Sequence, residues 1–275
     1  MAFTKPTQLL RKIHPALARE RYTNKIAVLS PGLAISYSDN NGARVGYPTQ
    51  AQKTLLLNGA AQARAIMRAA VLEMDRVVIL RRPEGQTFTN IMNYHFGLAA
   101  NRANPTLKSN VVDKPFSAKA LLQKDRRWVL NQVRMGMLSI SFHINTGVYL
   151  IDIDNAVRPG AGANDEGYVN GPADLTGLFS AFKNGEIHAA FADMQAGGYT
   201  ADAVARVIIH EAAHKYWGVE DQHYAHDTAA YRQHDCDESL DNADSFAWAA
   251  LSLFHGNLIH GTNSLDLHPQ VVAVP

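Results

Sequence analysis

A single cysteine, Cys236, in 275 residues excludes an intrachain disulfide, so this chain must be stable through packing rather than oxidation. Charge of one sign is just as scarce. Against 26 Lys and Arg stand 25 Asp and Glu, and a net charge of +1 creates no long-range field to draw in nucleic acid or an anionic membrane. No apolar run reaches the ~18 residues that would span a bilayer. A secretory leader is not legible either, because Pro6, Gln8, Arg11, Lys12 and His14 interrupt any apolar core near the start. The expectation is a cytoplasmic protein, or one exported by a leaderless route. Two common ligand loops also fail. Asp152-Ile153-Asp154 opens like a calcium loop, but Ala156 and Val157 occupy positions needing a ligand and a glycine. The four glycines of 158–172 are too irregular for a phosphate-binding fingerprint, and this stretch reads as a surface loop or a flap beside a cleft.

What remains is ordinary globular composition, 47% hydrophobic and 19% charged, enough for one large domain or two small lobes. Ile26–Leu29 and Leu33–Tyr37 flank Ser30-Pro31-Gly32 and read as a β-hairpin, with a third strand over 43–47. From Gln52 to Met74, Leu56, Ala60, Ala63, Met67, Ala70 and Met74 recur at helical spacing. Further helices are expected over 89–100, 126–138 and 241–254, with a polar connector over 101–119. Ser139–Ile144 and Gly147–Ile153 alternate about Asn145-Thr146 and predict a second hairpin. Glu186–Phe191 reads as a strand that could offer an edge to an extended peptide. The chain thus divides into a 1–50 extension with its hairpin, a main domain over 51–262, and a 263–275 tail.

The chemistry concentrates in His210-Glu211-Ala212-Ala213-His214. Residues four apart on a helix lie one above the other, so His210 and His214 project together, two nitrogen ligands of a zinc shell. Glu211, one step round, can reach a metal-bound water without being a ligand. With 12 His and 8 Glu, chance supplies roughly 0.015 such patterns per chain. Thr200 is placed to cap this helix, Asp202 suits its first turn, and Val204, Ile208 and Ala212 give it a face to bury. Gly218 can end it and turn the chain back, and the first acids then offered are Glu220 and Asp221. Glu238 and Asp227 are rivals for the third ligand, while His226, His234, Asp235 and Asp237 read as a solvated loop.

The run Gly218-Val219-Glu220-Asp221-Gln222-His223-Tyr224 is similar to the Gly-Thr-x-Asp-x-x-Tyr signature of the aspzincin metalloendopeptidases, which include deuterolysin and the peptidyl-lysine endopeptidases. Val219 stands for the usual threonine and Ala225 for the glycine that commonly follows. Asn242-Ala243-Asp244-Ser245-Phe246 resembles a second family segment, and Tyr94-His95-Phe96-Gly97 a third. The resemblance implies an α+β, mainly helical, zincin-like domain with the HExxH helix at its centre and small antiparallel β elements. It implies one catalytic Zn2+ on His210, His214 and Asp221, with Glu211 as general base and Tyr224 steadying the oxyanion. Asp244 would receive a basic substrate side chain, or else orient a histidine ligand. The partner glutamate of the lysine-directed enzymes is Ala247 here.

The expected function is hydrolysis of internal peptide bonds in a protein or peptide substrate. Two alternatives come from other classes. A leaderless toxin or effector peptidase would travel with an inhibitor or immunity protein. A non-catalytic binding module stabilised by zinc would close its site with a fourth protein ligand.

Overall fold

The computed structural model describes residues 25–30, 33–37, 49–99, 109–112, 125–146, 148–152, 167–169, 186–189, 191–260 and 270–271. The strand expected over 43–47, the failed calcium loop beyond Asp152 and most of the connector over 101–119 lie outside the described residues.

The fold is mainly helical. Its longest element, α1 (Gln50–Val78), starts at a capping box. Thr49 Oγ1 accepts from the Gln52 N–H, and the Gln52 side chain accepts from the Thr49 N–H, satisfying two donors that a helix start otherwise leaves open. The expected stripe Leu56, Ala60, Ala63, Met67, Ala70 and Met74 is fully buried, joined by Ile66. α2 (Gln86–His95) is shorter than expected, because Gly97 at φ +58 turns the chain away just after it.

α3 (Arg126–Thr146) corrects the sequence reading. The expected strand Ser139–Ile144 belongs to this helix, and no hairpin forms around Asn145-Thr146. Period two and period 3.6 both fit those six residues. The helix prevails because Ile140 and Ile144 continue the buried line of Val133 and Met137, while Phe142 stays 63% exposed. Arg126 forks over Glu84, with its Nη2 2.6 Å from Oε2.

Strands β1 (Lys25–Ser30) and β2 (Leu33–Tyr37) form the expected hairpin. After them, β3 (Val148–Asp152), β4 (Gly167–Tyr168) and β5 (Glu186–Ala189) complete a five-stranded sheet in the order β1-β2-β3-β5-β4. The sheet is mixed rather than antiparallel: β2/β3 and β3/β5 run parallel, since helices carry the chain from β2 back to the starting end of β3. The strand over 186–189 is interior, not an edge, and the chain enters α4 (Phe191–Ala196) directly after it. Among the described residues that end of the sheet is β4, antiparallel to β5.

The motif helix α5 (Ala201–Trp217) packs on α1, on α3 and on α8 (Ala243–His255), and touches β4 and β5. Residues 228–240 are not a plain loop. They form α6 (Thr228–Gln233), capped by Asp227, and α7 (Cys236–Leu240), capped by Asp235. A short pair, β6 (Ile259–His260) with β7 (Gln270–Val271), ties the end of the expected main domain to the expected tail. No helix among the described residues is long and apolar enough to cross a membrane.

Candidate metal centre

The sequence places the motif helix accurately. Thr200 Oγ1 accepts from the Ala203 N–H, and Gly218 ends the helix at φ +81, a left-handed conformation that costs glycine little. That reversal brings the following loop back across the two histidines.

Three ligand-type atoms then converge. His210 Nε2 and His214 Nε2 are 3.1 Å apart, and Asp221 Oδ1 lies 3.1 Å from the first and 3.3 Å from the second. Ligands ~2.0–2.1 Å from one ion at tetrahedral angles are separated by about 3.3 Å, so the triangle has the dimensions of one face of a zinc tetrahedron. No other group of three such side chains converges among the described residues.

The far nitrogens fix how the rings present themselves. His214 Nδ1 donates to the Val219 carbonyl at 2.7 Å, and a carbonyl can only accept. His210 Nδ1 donates to Asp244 Oδ1, also at 2.7 Å. A neutral ring so engaged leaves Nε2 bare, with its lone pair aimed at the shared point. Burial alone would lower the His210 pKa, yet hydrogen bonds to Asp221 and Asp244 carry it well above its ordinary value. His214 moves the same way, as its bond to Asp221 outweighs burial and the charge of His210. Asp221 is held well below the carboxylate range, because the two imidazoles overcome the effect of burial.

The segment 242–245 is the scaffold of the ligand loop. Fully buried Asn242 accepts from the Gln222 and His223 N–H groups and donates to the His223 carbonyl at 2.9 Å. Glu220 joins it through backbone bonds with Asp241 and Ala243. Asp244, 3% exposed, is turned inward: Oδ1 accepts from His210, and Oδ2 accepts from the Ala225 N–H at 2.7 Å. Both oxygens face inward, so the alternative role, orienting a histidine, is the one its contacts support. The scaffolding role of Asn242 and the acceptor role of the Val219 carbonyl were not read from the sequence. The first stood within the family-like segment as a clue, whereas a backbone carbonyl leaves none.

Tyr224 is 43% exposed, and its hydroxyl donates to Asp221 Oδ2 at 3.0 Å, the oxygen turned away from the histidines. Its ring lies parallel to those of His226 and His210, with centroids 5.2 and 6.2 Å away. Glu211 is buried beside the cluster and against β4: a Cβ added at Gly167 would fall 2.6 Å from Glu211 Oε1. Gly167, in the stretch expected to be a loop or flap, therefore borders the motif. The rival ligands are engaged elsewhere. Asp227 caps α6 through the Ala230 N–H, and Glu238 accepts from the Asp235 N–H. Glu220 joins the loop through its backbone while its side chain is exposed, and Cys236 is buried in the core.

Fold and site together describe a mainly helical protein in which two histidines and an aspartate converge beside a buried glutamate. Compared with known proteins, the chain matches no family model, and no curated protein matches it.

Proposed function

We propose that this chain is a zinc-dependent endopeptidase of the zincin type, hydrolysing internal peptide bonds of protein or peptide substrates. The observation that carries the reading is the triangle of His210 Nε2, His214 Nε2 and Asp221 Oδ1, edged at 3.1–3.3 Å, with each imidazole committed through Nδ1 to a separate acceptor. Three protein ligands are the set that leaves a catalytic zinc an open position. Bound there, zinc supplies Lewis acidity, lowering the pKa of a water toward about 7 and polarising a carbonyl.

The chain's own residues perform the rest. Glu211, screened from solvent, accepts a proton from the attacking water and delivers it to the departing amine. Tyr224 swings its hydroxyl from Asp221 Oδ2 to donate to the negative oxygen that develops; one such donor is worth ~2.7–4 kcal/mol. The edge of β4 takes an extended peptide as an added strand, which sets the peptide beside Glu211 at Gly167.

Metal analysis and a casein-type assay on two variants test the reading. Glu211→Gln is expected to retain zinc and lose turnover, and Asp221→Ala to lose zinc. Full activity in Glu211→Gln would refute the base assignment, and zinc uptake unchanged in Asp221→Ala would refute the ligand set.

A further inference from the structure

Arg206 is an anomaly in the sequence of its own helix. It interrupts the apolar run Val204-Ala205-Arg206-Val207-Ile208-Ile209 and is only 7% exposed. A buried cation is expensive unless it is paired, and leucine or methionine would pack there without an electrostatic cost. Arg206 stands one turn before His210 on α5, and Trp248 one turn after Asp244 on α8. The two helices thus meet in two rungs. In one, the Arg206 guanidinium lies 5.4 Å from the centre of the Trp248 ring; in the other, His210 donates to Asp244. Between the rungs, Arg206 Nη1 is 4.0 Å from Asp244 Oδ1.

That distance is too long for a hydrogen bond, so the guanidinium attracts the carboxylate without taking the lone pair that His210 uses. Its place over Trp248 helps to hold it there, as cations within about 6 Å of an aromatic face are attracted to it. Once a divalent cation is bound, His210 must be neutral. Asp244 then remains a buried carboxylate facing Arg206 as its charged side-chain partner, with the Ala225 N–H on its other oxygen.

We infer that Arg206 is a positioning residue for the metal centre, its charge holding Asp244 against His210 so that His210 Nε2 stays aimed at the metal. The inference rests on the zinc reading of the cluster. It assigns a function to a side chain that touches neither ligand atom nor substrate.

The test is a cycle of Arg206→Met, Arg206→Lys, Asp244→Asn and the double variant Arg206→Met/Asp244→Asn, with zinc affinity read by competition against a chromophoric chelator. Arg206→Met should weaken zinc about tenfold, the lower end of what loss of such a supporting partner costs. Arg206→Lys should restore most of it. In the Asp244→Asn background the Met substitution should add less than twofold, because the residue it acts through is gone. Unchanged affinity in Arg206→Met, or the same tenfold loss in both backgrounds, would overturn the inference. Should Arg206→Met fail to fold, the double variant, which removes both charges together, is compared with Asp244→Asn alone, and equal affinity is expected. A wild-type chain that takes up no zinc would sink the reading of the centre instead. The same cycle in urea then decides the matter without metal: the unfolding midpoint should fall with Arg206→Met in the wild-type background only, and equal falls in both would reject the coupling.

Discussion

Gly167 and Glu211 leave each other no spare room. A methyl group at 167 would sit 2.6 Å from Glu211 Oε1 and 3.0 Å from its Cγ and Cδ, so the carboxylate would have to move. Gly167→Ala is therefore expected to reduce turnover at least tenfold while leaving zinc content unchanged, since a base displaced by even an ångström loses its alignment. Steady-state rates beside metal analysis would check it; a variant as active as wild type would show that Glu211 does not work from this position. Asp244→Asn removes the charge behind His210 and should weaken zinc by about 10–100-fold, measured by chelator competition. At this scale the sequence was legible in part. His210, Glu211 and His214 could be read from spacing alone, because a helix repeats every 3.6 residues whatever surrounds it. Asp244 could be assigned two ways, and the inward contacts of both its oxygens support the one that orients a histidine.

Each end of the motif helix carries a local signal that can be tested. Thr200→Ala removes the acceptor of the Ala203 N–H and should cost about 1 kcal/mol in urea unfolding. Gly218→Ala forces an L side chain into φ +81 and should cost roughly 1–2 kcal/mol. It should also weaken zinc, because that turn delivers Val219 and Asp221 to the two histidines. Gly59 marks a close approach of α1 and α5, since a Cβ there would meet Val204 Cγ1 at 2.3 Å. Gly59→Ala should therefore destabilise by about 1–3 kcal/mol, the cost of overpacking a filled core. Caps and turns were visible in the sequence because they depend on three or four neighbouring residues. The hairpin expected over 139–153 was not there, because Ser-Ile-Ser-Phe-His-Ile satisfies both periods, and the packing of α3 on α1 and α5, with Ile140 and Ile144 buried, selects the helix.

Over the whole molecule, the cluster couples stability to pH and to metal. His210 and His214 have raised pKa values in the metal-free fold, so their stabilising contribution is complete below the ordinary value of 6.5 and is lost as pH climbs through the raised values. Asp221 and Asp244 are depressed, so theirs is present above 3.8 and is lost as pH falls through the lowered values. Metal-free protein should melt highest between about pH 4 and 6.5, judged from these groups. Zinc needs both Nε2 atoms bare, so protons compete with it, and the gain in melting temperature on adding zinc should grow as pH rises above that window. At a free concentration of 100 Kd the gain is about 2.7 kcal/mol, or roughly 5–10 °C for a domain of this size. Calorimetry with and without a chelator measures both; a gain independent of pH would mean that these histidines do not hold the ion.

The amino-acid order alone determined the motif helix, its two caps, its apolar face and the pairing of His210 with His214, since all of these arise within a few turns of chain. It left four acids competing for the third corner. Tertiary structure brings Asp221 to the two histidines, because the backbone bonds of Glu220 and the side chain of Asn242, from about 20 residues downstream, fold the loop so that, among the described acids, this carboxylate reaches both imidazoles. It likewise turned Asp244 inward and set Gly167 against Glu211. Those placements depend on packing between segments far apart in sequence, and no local pattern encodes such distances.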